Sequence, residues 1–309
     1  MKDRRLVKGC LLAVLGASFW ALSGVCGQYM FEQKGVDPGQ MVALRLLISG
    51  GVLLLLTIRK KGRAAFRWER KDTVPLLAAG LLGIAMCQYA YFTSIHYSNA
   101  ATGTILCYLS PLMVLFFLAG KDRRRPSGTE LAALFLAFAG MFLCVTHGDP
   151  ATLSISPPAL FWGMLSAAAF AIYTIQPQKL IQRYGTIFVN AWGMVAGGLV
   201  LGCLFRPWDL RGVWDAPAWT AFACIIGLGT VLSFTFYQEG VRLVGAAKGS
   251  VLSSVEPIVS TALSVIWLKS SFQPLDYLGF VLIVSTIFMI TAGNQLQKLS
   301  KRIKKQGGN

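Results

Sequence analysis

YFTSIHYSNAATGTILCYLSPLMVLFFL, residues 91–118, and YQEGVRLVGAAKGSVLSSVEPIVSTALS, residues 237–264, are two copies of one pattern. A constant offset of 146 superimposes them without a gap, setting Tyr91 on Tyr237, Ala100 on Ala246, Gly103 on Gly249, Leu106 on Leu252 and Pro111 on Pro257. The same offset carries Leu82-Gly83 onto Leu228-Gly229 and Glu130 onto Asp276. A repeat of about half the chain sets the architecture before any single residue does.

Working outward, the 309 residues are 55% hydrophobic and only 14% charged, where a water-soluble chain carries about a quarter charged residues. The apolar residues come in blocks long enough to cross a hydrocarbon core, which takes about 20 residues per helix. Ten such spans can be marked, at about 9–30, 40–58, 73–95, 98–119, 128–146, 158–180, 186–205, 217–239, 245–268 and 275–293. The first follows Lys2, Arg4, Arg5 and Lys8, as a signal peptide would. It is too long for one and takes part in the repeat, so it is read as a helix of the mature protein.

The earlier helices repeat too. LGASFWALSGVCGQ (15–28) matches LSAAAFAIYTIQPQ (165–178), with Trp20 on Phe170, and VALRLLISGG (42–51) matches VNAWGMVAGG (189–198), with Arg45 on Trp192. The expected organisation is therefore a first five-helix repeat over 9–146, a second over 158–293, and a basic tail over 294–309. Five crossings per unit turn the second copy upside down, the arrangement in which sites form at the midplane and one half rocks against the other.

The net charge of +16 is a topology signal. Alternate loops and the two termini hold 23 of the 29 Lys and Arg, with seven in 59–71 alone, while the opposite loops hold only Lys34, Arg206, Arg211 and Lys269. Such asymmetry places the rich side, and with it both termini, in the cytoplasm, and argues against a nucleic-acid partner. The seven cysteines lie singly in apolar blocks, without metal-ligand spacing. Only two histidines occur, and no zinc helix, phosphate loop or nucleophile elbow is present, which leaves no metal site, cofactor or enzyme active site to propose.

Charged and polar side chains inside spans carry the functional candidates. Glu256 sits near the middle of the ninth span, opposite the neutral Ser110 in the repeat. It can bind a cationic group, exchange a proton with transport, or serve the backbone beside the kink, because Pro257 leaves the Ser253 carbonyl without its helical donor. Lys248, eight residues earlier, is a candidate for a carboxylate or a snorkelling lysine. Arg45, near the outer end of the second span, is a candidate outer-gate ion pair or again a snorkelling side chain. Trp20, Tyr89, Tyr91, Tyr108, Tyr173, Trp192 and Tyr237 lie within spans, and as a group they suit a substrate with an apolar or ring-bearing part. Pro111 and Pro257 are helix kinks. Ser127 with Glu130 reads as a capping box opening the fifth span, and Asp276 as a cap opening the tenth.

Ten spans in two five-helix repeats, prolines in spans four and nine, the Glu256-Pro257 step, Arg45 early in span two and caps opening spans five and ten together resemble the EamA-type branch of the drug/metabolite transporter superfamily over about 9–293. The resemblance implies a central cavity lined by spans one to four and six to nine, with Glu256, Pro257 and Arg45 on the family's motif positions. It also implies secondary transport of a small molecule. The chain departs where that family has Gly-Glu at the ends of spans four and nine, with Gly120-Lys121 and Lys269-Ser270 here, and Lys248 is not a general family feature. The expected function is export of a small metabolite, amino acids or their derivatives first, across the plasma (inner) membrane by alternating access, with protons as a candidate coupling ion and the protein a monomer or homodimer. Drug or cation efflux on the same fold and a non-transporting membrane subunit are the alternatives.

Overall fold

The computed structural model describes residues 2–121, 128–146, 155–245, 249, 252, 253, 255–282, 284, 285 and 289. Every regular element among them is helical. Among the described residues six stretches are long and apolar enough to cross a membrane: Arg5–Lys34, Pro38–Phe66, Arg70–His96, Pro157–Ile175, Thr186–Phe205 and Ala216–Val244. Shorter apolar helices occupy Ala100–Val114 and Val255–Ile266.

The elements are α1 (Lys2–Lys34), α2 (Pro38–Lys61), α3 (Thr73–Ala78), α4 (Met86–His96), α5 (Ala100–Cys107), α6 (Ser110–Lys121), α7 (Gly128–Thr146), α8 (Pro157–Ile175), α9 (Gln178–Tyr184), α10 (Thr186–Phe205), α11 (Ala216–Ile226), α12 (Ser233–Val244) and α13 (Val255–Ile266). Local chemistry sets several starts. Asp37 accepts from the Gln40 N–H at 2.9 Å with Pro38 at the first helical position, and Asp215 does the same for Ala218 at 3.0 Å. Asn99 caps α5 through the Thr102 N–H at 2.8 Å. A side-chain oxygen there satisfies an amide that the helix itself cannot.

Two features repeat. Between α3 and α4 the backbone widens into a π-helix at Ala79–Ala85, and between α11 and α12 it does so again at Gly227–Leu232. The fourth and ninth spans are interrupted at matching places, by turns at Tyr108-Leu109 and at Ser253. Both interruptions precede a proline, whose missing N–H frees a carbonyl one turn back. The fourth span, expected over 98–119 with a kink at Pro111, is two helices, α5 and α6. The sixth, expected over 158–180, ends at Ile175, because Pro177 cannot extend the ladder, and α9 follows as a separate short helix.

Contacts divide the chain into two compact units, Met1–Val114 with Ile155–Ser271, and Leu115–Ser154 with Phe272–Asn309. In the first, α2 and α10 form the most extensive pair, α1 lies along α12, and α8 lies along α4. The first helix of each repeat thus packs on the third span of the other. The two repeats run in opposite directions. The start of α1 meets the end of α12, where a Cβ on Gly9 would strike Val244. The start of α8 meets the end of α4, where Ser156 Oγ donates to the Tyr97 carbonyl at 3.2 Å. The end of α4 is also the end of α1, since His96 lies 5.8 Å from Phe31. In the second unit, 274–282 is helical, and Asp276 Oδ2 accepts from the Gln273 N–H at 2.9 Å across its first turn. Ser127 and the tail over 294–309 lie outside the described residues, and Glu130 and Pro111 are described only as helical backbone.

Candidate functional site

The breaks in the fourth and ninth spans converge on one cavity in the first unit, and the π-helix of the eighth span holds Arg45 beside it. Its volume is about 30 Å³, and it is lined by Trp20 and Ser23 of α1, Arg45 of α2, Cys87, Gln88, Tyr91 and Phe92 of α4, Cys107, Tyr108 and Ser110 around the α5–α6 break, Phe170 of α8, and Glu256 of α13. That volume holds a water or two and no more. Ser110 and Glu256, equivalent in the repeat, both face it from the turn that follows an interruption. Glu256 stands in the first turn of α13, where a helix N-terminus favours a carboxylate.

Arg45 is fully buried, so it does not snorkel. Its Nε and Nη2 donate to Thr230 Oγ1 at 3.1 and 2.7 Å, and Nη2 also donates to the Gly229 carbonyl at 3.2 Å. Both acceptors belong to the π-helix, and the Gly229 carbonyl also accepts from Ser233 Oγ at 2.6 Å. Thr230 Oγ1 itself donates back to the Ile225 carbonyl at 2.8 Å. The guanidinium also lies 4.7 Å from the centre of the Phe92 ring. Among the described residues Arg45 has no ion pair, and its Nη1 has no hydrogen-bond partner. Trp20 Nε1 and Ser23 Oγ, on the same cavity, are likewise buried and unpartnered.

Across the cavity, the carbonyl of Ser253 accepts from the Glu256 N–H at 2.9 Å and from the Tyr108 hydroxyl. The side chain that answers the proline-freed carbonyl thus comes from the break in the other repeat. Tyr91 and Thr104 share a hydroxyl hydrogen bond at 2.8 Å beside it.

Of the sequence candidates, Trp20, Arg45, Tyr91, Tyr108 and Glu256 stand around this cavity. Tyr237 backs it, with its ring 4.8 Å from that of Trp20, and Tyr173 packs on Phe170 and Phe234 at 5.9 and 5.4 Å. Two candidates point elsewhere. Trp192 donates to the Ala65 carbonyl at 3.0 Å and packs on Trp68, while Tyr89 packs on Trp162 and Phe205. Lys248 lies outside the described residues. Ser23 and Thr230 were not singled out from sequence. The repeat alignment offers a signal for Ser23 alone, because it falls on Tyr173, and the two pack on equivalent glycines, Gly229 and Gly83. Among the described residues no group of three or more His, Cys, Asp or Glu could hold a metal ion.

The end of the unit away from the basic loops is tied shut. Lys34 Nζ bonds Asp215 Oδ2 at 2.7 Å, joining the end of α1 to the start of α11. Gln40 donates to the Asp209 carbonyl at 2.7 Å and accepts from the Arg211 N–H at 3.0 Å. The Lys34 ammonium, with the Ala218 amide behind it, holds the Asp215 carboxyl below the usual carboxylate range.

Sequence comparison finds the EamA-like transporter family twice, over residues 7–146 and 157–292. The chain is 38% identical over 285 residues to the uncharacterized inner membrane transporter YicL of Salmonella typhimurium, covering 92% of this chain and 95% of that protein. It is 22% identical over 304 residues to the uncharacterized transporter YcbK of Bacillus subtilis, covering 96% of each. A solved crystal structure, described only as that of a protein, superposes with a TM-score of 0.66 at 18% identity over 98% of this chain and 99% of that chain.

Proposed function

The chain belongs to the EamA-like transporter family, and from that premise we propose a secondary transporter that exports a small zwitterionic metabolite, an amino acid or close relative, by alternating access. The observation that carries the reading is a buried, unneutralised Arg45 with a free donor on the same cavity as Glu256. A buried charge without a partner is costly, and a substrate carboxylate on Nη1 relieves it. Trp20 Nε1 and Ser23 Oγ add two further donors for that carboxylate. Glu256 takes the amine, and Trp20, Phe170 and Tyr237 form the wall for the side chain. Lys248, eight residues before Glu256 in the chain, draws the carboxylate in from the cytoplasm.

The positive-inside pattern supports a cytoplasmic side that holds Lys60, Arg183, Arg242 and both termini, at a plasma (inner) membrane. The latch at Lys34–Asp215 then closes the outer end, and the central cavity is shut around at most a water or two. Substrate enters when the halves rock apart. A proton leaves Glu256 as the amine arrives, which couples export to inward proton movement.

Saturable counterflow of a radiolabelled amino acid in proteoliposomes tests the reading, with Glu256→Gln alongside wild type. Counterflow that saturates in wild type and collapses in the variant is expected. Flux without saturation would mean a channel, and no flux for any solute would mean a non-transporting subunit. A rate indifferent to an imposed proton gradient would remove proton coupling. The aromatic cluster beside Glu256, with Trp20 on Phe170, Phe234 and Tyr237 at 5.7, 5.2 and 4.8 Å, supports efflux of an aromatic cation as the second reading. A cation that competes with the amino acid would favour it.

A further inference from the structure

A second cavity of the first unit, about 780 Å³, opens at the basic end between the end of α2, the start of α10 and the end of α12, and it shares no residue with the central one. From the first element it is lined by Lys60 and Lys61, from the second by Thr186, and from the third by Glu239 and Arg242. Arg242 and Glu239 neutralise each other through bonds of 2.8 and 2.5 Å. The two lysines remain as net positive charge, and Lys61 is oriented by the Tyr184 carbonyl at 2.6 Å.

The start of α10 faces this space without a side-chain cap. Gly185, at φ 88°, has none to offer, so the first amides of a 20-residue helix lack a local acceptor. Thr186 is buried, at 7% exposure, and its Oγ1 lies beside the Glu239 carboxylate, which is taken up by Arg242, without a hydrogen bond of normal length and angle among the described residues. The repeat supplies the comparison. At the start of α2 the carboxylate of Asp37 occupies the equivalent place and caps the helix. There the matching groove is also filled, with Phe205 seated on Gly39 and Tyr89 4.9 Å from Phe205. The second repeat has Thr186 at the position of Gly39 and Thr235 at that of Tyr89, and leaves the space open.

We propose that this cavity is an anion site that takes a phosphate group on the α10 N-terminus, Thr186 Oγ1, Lys60 and Lys61. Helix N-termini with adjacent cations bind phosphate readily. Lysines closing an apolar span also suit the headgroup of an anionic phospholipid, so a lipid and a soluble phosphate are the two sources of the same chemistry. The test measures unfolding midpoints of the full chain in phosphatidylcholine nanodiscs, with phosphatidylglycerol added in one arm and inorganic phosphate, at matched ionic strength in chloride, in the other. An upward shift in either arm, with an apparent affinity roughly tenfold weaker in Thr186→Val and in Lys60→Gln, is expected. A shift with phosphatidylglycerol alone assigns the site to lipid, and a shift with inorganic phosphate assigns it to soluble phosphate. No shift in either arm overturns the proposal, and so does a shift undiminished in both variants. Neither variant touches the central cavity, so a failure here leaves the transport reading standing.

Discussion

Thr230 is the residue through which the account of the π-helix can be tested. Its hydroxyl accepts from two nitrogens of Arg45 and donates to the Ile225 carbonyl, with the side chain fully buried. Thr230→Val keeps the shape and removes all three bonds. The guanidinium is then left with the Gly229 carbonyl alone. Hydrogen bonds to a charged group are worth about 1.5–3 kcal/mol, and some of that returns through relaxation, so a loss of about 2–4 kcal/mol is expected. Thr230→Ser keeps the hydroxyl and deletes one methyl, for about 1 kcal/mol. Thermal unfolding of the detergent-purified variants measures the order. Valine far below serine, with serine near wild type, supports a polar lock between the second and eighth spans. A serine variant as unstable as the valine one would mean that the methyl, not the hydroxyl, matters, and the lock would be refuted.

Three further outcomes follow from the geometry. Asp215 is held ionised by Lys34, so its contribution is present above the ordinary carboxylate pKa of about 3.9 and is lost as pH falls through its depressed folded value. Asp215→Asn should therefore lower the unfolding midpoint at pH 7, with the difference from wild type shrinking as pH falls through the depressed value of the folded carboxyl. A Cβ on Gly80 would lie 2.6 Å from the Gly193 carbonyl oxygen and 2.8 Å from its Cα, backbone that cannot yield. Gly80→Ala should cost about 1–3 kcal/mol in the same assay, and an unchanged midpoint would deny the close approach of the third span to α10. Tyr108→Phe removes the hydroxyl from which the Ser253 carbonyl accepts and should cost about 1–2 kcal/mol, while a neutral effect would show that this bond does not brace the break.

The two-repeat helical fold was legible because its signals are long-range and redundant. Apolar blocks, an offset that brings Pro111 onto Pro257 and the placement of basic loops all agree. The expected sixth span runs on to 180, although Gln176-Pro177-Gln178 marks its end at Ile175 in both hydropathy and backbone, because the repeat match extends through Gln178. The π-helices left no signature: AGLLGIA and GLGTVL are ordinary helix-compatible sequences, and the extra residue per turn is set by packing. Arg45 was legible as a charge inside a span, but its burial on Gly229 and Thr230 was not, since both acceptors belong to the π-helix. Trp192 and Tyr89 show the same limit. An aromatic residue in an apolar span carries no mark of which side it faces, so nothing separated them from Trp20 or Tyr91, which face the cavity.

The central claim is that Arg45 receives a carboxylate while Glu256 receives an amine, and matched ligands test it on the unaltered protein. The unfolding midpoint is recorded with amino acids, with the corresponding amines that lack the carboxylate, and with the corresponding acids that lack the amine. A bound amino acid at about 100 times its dissociation constant should stabilise by about 2.7 kcal/mol, and removing either charged group should abolish most of that shift. An amine that stabilises as well as its parent amino acid would contradict the role given to Arg45.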